Sequence, residues 1–306
     1  MRIRMTNASL FRPLFAGITA AAVVILTGCP RPESDPQEQA AAEPPPAAEA
    51  SRAITYAPDD PALEWGPCPE FMPEGCGIAV LQGDPEDVNA DVLLRMAPDT
   101  TIPEHWHTSA ERMVLISGEL HVDYEGQEPV VLTAGTYAYG PGGLSHETYC
   151  APGEECLLFI AFEDPVDAIP VTEEPAPGSA EVALTWTHDA PDLEWGPCPE
   201  FMPEGCGIAV LQGDPEQPNA DVFFRMAPGT TVPNHWHTSA ERMVLVSGRM
   251  QVDYEGQEPV VLTPGTYAFG PAELPHETVC EDTGEDCVLL IAFEEPVDAH
   301  PVGLGH

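Results

Sequence analysis

The chain has 306 residues and carries 51 Asp plus Glu against 10 Lys plus Arg, every one of the ten an arginine, for a formal charge of −41. That acidity excludes nucleic acid as a partner, because neutralising phosphates takes a basic patch, and it opposes long-range capture of small anions. The length suits two domains with their own cores, and 43% hydrophobic residues alongside 36 prolines and 26 glycines fit a folded, turn-rich chain.

In chain order, residues 1–28 come first, with Arg2, Arg4 and Arg12, no acid, and an apolar run over 15–26. A basic start, an apolar middle and small residues at the end make a secretory signal, and the run is short of the ~20 residues of a membrane span. Leu26-Thr27-Gly28-Cys29 resembles the lipobox of bacterial lipoproteins. The resemblance implies cleavage before Cys29 and acylation of that cysteine, anchoring the chain to a membrane without a transmembrane helix. Residues 29–52, rich in Pro, Ala and Glu, read as a disordered tether. The expected location is the bacterial cell envelope, extracytoplasmic and lipid-anchored, with inner and outer membrane left open.

Residues 64–86 recur unchanged as 194–216, and the offset of 130 holds from there to Cys150 and Cys280. Self-similarity over such a length means two homologous domains, expected at 53–170 and 182–300, joined by a Pro/Glu/Gly linker at 171–181. In the first copy, short apolar and β-branched runs at 91–96, 113–116, 120–124, 130–133 and 157–162 alternate with turn signals such as Glu125-Gly126. That spacing predicts an all-β sandwich or barrel.

The chemistry gathers in Pro103-Glu-His105-Trp-His107-Thr-Ser-Ala-Glu111 and its repeat, Pro233-Asn-His235-Trp-His237-Thr-Ser-Ala-Glu241. Histidines at i and i+2 of a strand project from one face, so both imidazoles can reach one ion. Glu111 or Glu241 offers a third ligand, and His146 or His276 a fourth. In this pattern the chain resembles the cupin superfamily, whose first motif is Gly-x5-His-x-His-x3,4-Glu-x6-Gly. Gly229, His235, His237, Glu241 and Gly248 complete it; in the first copy Asp99 stands for the leading glycine, with His105, His107, Glu111 and Gly118 in place. Of the second motif, Gly-x5-Pro-x-Gly-x2-His-x3-Asn, the first copy has Gly135, Pro141, Gly143 and His146, the second Gly265, Pro271 and His276. Glu273 replaces a motif glycine, and Cys150 and Cys280 replace the asparagine.

The resemblance implies two tandem double-stranded β-barrels of jelly-roll type, a bicupin, each holding one divalent metal on three histidines and a glutamate. Iron, manganese, nickel, copper and zinc are not distinguished by such a donor set. Glu104 against Asn234, His121 against Gln251 and Tyr139 against Phe269 are the differences that could tune the ligands, although neutral drift is the expected reading. Arg112 and Arg242 follow the glutamates and point away from them; a surface ion pair is expected, with a substrate carboxylate as the alternative. Trp106 and Trp236 alternate away from the ligand face and are expected to pack outside the barrels.

Apart from Cys29, eight cysteines remain, four per copy, an even count that implies disulfides in an exported protein. Cys68–Cys76, Cys150–Cys156, Cys198–Cys206 and Cys280–Cys287 are favoured because each closes a short loop; crossed pairing within a copy stays open. Cys150 lies four residues after His146, so a free thiolate on the metal face is the rival reading.

The resemblance implies an extracytoplasmic metal-binding protein that binds a small molecule and, if an enzyme, cleaves it as a metal-dependent dioxygenase. A non-catalytic metal-binding or sensing lipoprotein is the alternative, and an oxalate decarboxylase-like bicupin a second. Substrate identity and the choice between monomer and homo-oligomer are left open.

Overall fold

The computed structural model describes residues 52–303; the expected signal segment, Cys29 and the tether up to residue 51 lie outside the described residues. The apolar runs form antiparallel strands. Asp91–Met96 and Val130–Thr133 keep the bounds read from the sequence, while the remaining runs extend to Glu111–Ser117, Glu119–Tyr124 and Cys156–Phe162.

One seven-stranded sheet orders Leu184–Trp186, Tyr137–Gly140, Glu111–Ser117, Cys156–Phe162, Asp91–Met96, Gly77–Gln82 and Trp65–Pro67. A five-stranded sheet of Ile169–Pro170, Thr100–Trp106, His146–Cys150, Glu119–Tyr124 and Val130–Thr133 faces it across the first interior. The second copy repeats both sheets. The leading strands are exchanged: Ile54–Tyr56 pairs with Tyr267–Gly270 of the second copy, and Leu184–Trp186 with Tyr137–Gly140 of the first.

Cys156–Phe162 is buried at all seven positions, because both faces of its sheet are covered. Leu158, Ile160 and Phe162 turn into the first barrel, whereas Leu157, Phe159 and Ala161 join a cluster shared with Val288, Leu290 and Ala292 of the second copy. Each large side chain so buried contributes about 1.5–3 kcal/mol. The shared cluster therefore binds the copies back to back through their seven-stranded sheets.

The face opposite the candidate glutamates is this interface rather than solvent, which corrects the expectation for the arginines. Arg112 is fully buried, its Nη1 3.4 Å from Asp221 Oδ1 and donating to the Phe293 carbonyl at 3.1 Å. Arg242 mirrors it, with Asp91 at 3.4 Å and the Phe162 carbonyl at 2.9 Å. The arginines do alternate away from the glutamates, but the face they enter is covered by the sheet of the other copy. Trp106 packs outside the first barrel, donating from Nε1 to the Glu174 carbonyl at 3.1 Å, and Trp236 stacks on His300.

Asp99 and Glu273, which stand for motif glycines, adopt the left-handed conformation at φ 58° and 61°, as Gly229 and Gly143 do at their equivalent positions. The turns keep their form at the cost of a Cβ in that region. The cysteines pair as Cys68–Cys76, Cys150–Cys156, Cys198–Cys206 and Cys280–Cys287. Such bonds form and persist in oxidising compartments. No helix among the described residues is long and apolar enough to cross a membrane.

Candidate metal centre

His105 lies near the end of Thr100–Trp106, opposite His146, the first residue of His146–Cys150. Glu111 opens the strand Glu111–Ser117. Strand ends from both sheets thus deliver the four side chains to one end of the barrel. The nitrogens of His105, His107 and His146 lie within 4.8 Å of one another, as do those of His235, His237 and His276. Glu111 places Oε1 3.4 Å from His107 Nε2 and Oε2 3.6 Å from His146 Nε2; Glu241 repeats both distances with His237 and His276.

Each imidazole is held by its other nitrogen. His105 Nδ1 donates to the Pro103 carbonyl at 2.8 Å, His107 Nδ1 to that of Asp167, and His146 Nδ1 to that of Leu144 at 3.5 Å. In the second copy the acceptors are Pro233, Asp298 and Leu274. With Nδ1 carrying the proton, each Nε2 presents its lone pair to the shared centre, the arrangement that fixes tautomer and ring direction in metal sites. His107 Nε2 and His237 Nε2 are buried without a hydrogen-bond partner. Three neutral imidazoles, a carboxylate and an orphaned lone pair fit a divalent first-row ion.

The titration behaviour agrees. Burial, followed by repulsion from His107, lowers the His105 imidazole to about 4. Burial also lowers His107, and it drives His146 well down with repulsion from both neighbours. Glu111 and Glu241 are each pushed up to about 7 by burial, which the nearby histidines only partly offset. Near pH 7 each carboxyl is therefore poised between its neutral and charged forms, and an arriving cation favours the charged one.

A cavity of about 190 Å³ opens beside the first set, and one of about 150 Å³ beside the second. Their walls are mainly aliphatic and aromatic, and among the described residues neither wall contains arginine or lysine. Leu94 of the first wall is Phe224 in the second, Leu120 is Met250, and Ile102 is Val232. None of the three differences singled out in the sequence lines either of these two cavities: His121 pairs on the outside with Glu119, Glu104 bonds Ser145, and Tyr139 bonds Glu181. Cys150 is bonded to Cys156 and lies outside both walls, so the thiolate alternative falls.

Two contributors were missed in the sequence. Asp167 and Asp298, about 60 residues downstream, hold His107 and His237 through their carbonyls. The Asp167 carboxylate is itself clamped by Thr108 N at 2.9 Å and Oγ1 at 2.7 Å. The loops closed by Cys68–Cys76 and Cys198–Cys206 supply Pro69 and Met72, or Pro199 and Met202, to the walls, and set Phe71 and Phe201 against His105 and His235. The repetition of Asp-Pro-Val-Asp at 164–167 as Glu-Pro-Val-Asp at 295–298 is a sequence signal of the aspartates, though it carries no role for them.

Residues 77–295 match a family model described as "Domain of unknown function (DUF4437)". No curated protein matches the chain. Among solved structures, Lactobacillus farciminis oxalate decarboxylase in its formate complex is similar over 81% of this chain and 88% of its own, at 15% identity and a TM-score of 0.54. A deletion mutant of Bacillus subtilis oxalate decarboxylase is similar over 81% of this chain and 79% of its own, at 17% identity and a TM-score of 0.50. At these identities the likeness shows the fold: an all-β bicupin, with one histidine triad able to hold a metal ion in each barrel.

Proposed function

The chain belongs to the DUF4437 family, and on that premise we propose that it is an extracytoplasmic bicupin lipoprotein that binds one divalent metal per barrel and there binds, and oxidatively cleaves, a small, largely apolar molecule. One observation carries the reading. In each barrel three neutral imidazoles, tied back by Nδ1, and a buried glutamate converge at the end of an apolar cavity.

His105, His107, Glu111 and His146 would hold the first ion, and His235, His237, Glu241 and His276 the second. A bound ion supplies Lewis acidity, coordination positions open to a small molecule and, if redox-active, electrons. The chain's own part is to fix the donor directions through backbone carbonyls, to shift carboxylate charge onto the ion, and to keep water from the reacting centre with hydrocarbon walls. The absence of cationic side chains from the described walls favours a neutral or singly charged organic molecule.

Dioxygen uptake by protein loaded separately with iron(II), manganese(II), nickel(II) or copper(II) tests the reading across diketones, catechols and flavonols. Uptake that disappears in the His107→Ala/His237→Ala pair supports it. Metal binding without uptake on any member favours the non-catalytic metal-binding or sensing alternative. Decarboxylation of oxalate is the second reading, with the bicupin likeness to oxalate decarboxylases in its favour. Formate production from oxalate would establish it against the argument from the walls.

Anchoring at Cys29 belongs to the same proposal and rests on the Leu-Thr-Gly-Cys sequence and the disulfides. Cys29→Ser moves the exported protein from the membrane to the soluble fraction; membrane retention of that variant contradicts the anchor.

A further inference from the structure

In the wall of the first cavity, the polar side chains other than the candidate ligands and Tyr124 have partners within the protein. Thr148 directs its hydroxyl at Met96 Sδ, and the Asp167 carboxylate is held by Thr108. Tyr124 differs, because its hydroxyl is buried and has no hydrogen-bond partner, and the same is true of Tyr254. Burying an unpaired hydroxyl is costly, and phenylalanine would complete the same wall without that cost. Other buried tyrosines of this fold do not leave theirs unpaired: Tyr137 donates to Asp221 and Tyr267 to Asp91, both at 2.6 Å, and Tyr139 donates to Glu181 at 2.7 Å. The orphan phenol belongs to the cavity position.

Its direction follows from the register. Leu120, Val122 and Tyr124 form the inward face of Glu119–Tyr124, and Tyr124 stands directly opposite His146, with ring centroids 5.3 Å apart. A Cβ added at Gly140 would lie 3.2 Å from the Tyr124 hydroxyl and 3.3 Å from Glu111 Oε2, so phenol and carboxylate border one space that the glycine leaves free. At Gly270 the corresponding distances are 3.3 Å to the Tyr254 hydroxyl and 3.2 Å to Glu241 Oε2. A donor with no protein acceptor therefore sits beside the candidate metal ligands in a mainly hydrocarbon wall.

We propose that Tyr124 and Tyr254 donate a hydrogen bond to the molecule seated beside the metal, which selects small molecules with an oxygen or nitrogen acceptor at the metal end and a hydrocarbon body toward the barrel interior. The inference rests on the metal-site reading above and adds to it the class of ligand. The cavities, about 190 and 150 Å³, bound the body.

Azide, a small metal ligand with an acceptor nitrogen, is the probe. The wild-type chain and the Tyr124→Phe/Tyr254→Phe pair are loaded with cobalt(II) and titrated with azide, followed by visible absorption, with bound cobalt and thermal midpoint measured alongside. The expected result is equal cobalt uptake and an azide affinity about five- to tenfold weaker in the variant, the scale of one hydrogen bond. The single variants, which keep one phenol each, give two unequal azide sites and serve if the pair does not fold. Unchanged azide affinity overturns the inference, and so does weaker cobalt binding with unchanged azide affinity, which would mean that the phenol holds the glutamate. A cobalt-loaded wild type that ignores azide overturns it as well. Failure of the wild type to take up cobalt is a different result, because it removes the metal-site reading itself.

Discussion

Glu111 and Glu241 sit where a charge is expensive until a cation arrives. Burial pushes both to about 7, so below that value each metal-free site holds a proton that must leave when the ion binds. The histidines are held below their usual range, chiefly by burial, so they retain fewer protons than free imidazoles would. Calorimetric titration of metal into metal-free protein in buffers of different ionisation enthalpy is therefore expected to show about two protons released per chain at pH 6 and almost none by pH 8.5. The sign follows directly: affinity is flat above pH 7 and falls about tenfold per pH unit per site below it. Equal proton release at both pH values would remove the glutamates from the donor set. The convergence of these candidate ligands was legible because a strand puts i and i+2 on one face and the return of the chain supplies the distant histidine. Asp167 and Asp298 were not, because what they give is a backbone carbonyl, and any residue type carries one.

At the scale of the strand and turn, the two departures from the motif glycines carry the lesson. Glu273 holds φ at 61° where Gly143 of the first copy sits at 78°. A left-handed residue with a Cβ costs about 1–2 kcal/mol relative to glycine, so Glu273→Gly is expected to raise unfolding stability by about 1 kcal/mol, read from urea denaturation. A lower stability would show that the Glu273 side chain supports the turn. The interface strands make the opposite case. Arg112→Met leaves Asp221 buried and unpaired and is expected to cost about 3–5 kcal/mol, while adding Asp221→Asn recovers most of that loss. Asparagine keeps an acceptor for the Tyr137 hydroxyl without the charge. A loss below about 1 kcal/mol for Arg112→Met would mean that the pair is solvated. Strand positions were legible from short apolar and β-branched runs bounded by turn signals, as Asp91–Met96 and Val130–Thr133 illustrate. The exchange of Ile54–Tyr56 and Leu184–Trp186 was not, because periodicity says which face a residue takes and nothing about which sheet it joins.

Across the whole molecule, the acidity that opens the sequence separates into a coat and four special groups. Among the described residues only Asp91, Glu111, Asp221 and Glu241 are buried carboxylates. Two of them face the arginines of the interface and two face the histidines of the barrels. The remaining described acids meet solvent to some degree, where they keep an acidic protein soluble and repel anions from the cavity mouths. The back-to-back packing makes one compact unit of the two copies, and each copy keeps its own donor set and its own cavity. Metal content per chain, measured by elemental analysis after exhaustive dialysis of cobalt-, manganese- or zinc-loaded protein, tests this arrangement most directly. The structure predicts two ions for the wild type, one for His107→Ala/His146→Ala, one for His237→Ala/His276→Ala, and none when all four are replaced, with the chain still folded. A wild type that retains no ion, or a fourfold variant that retains two, would contradict it.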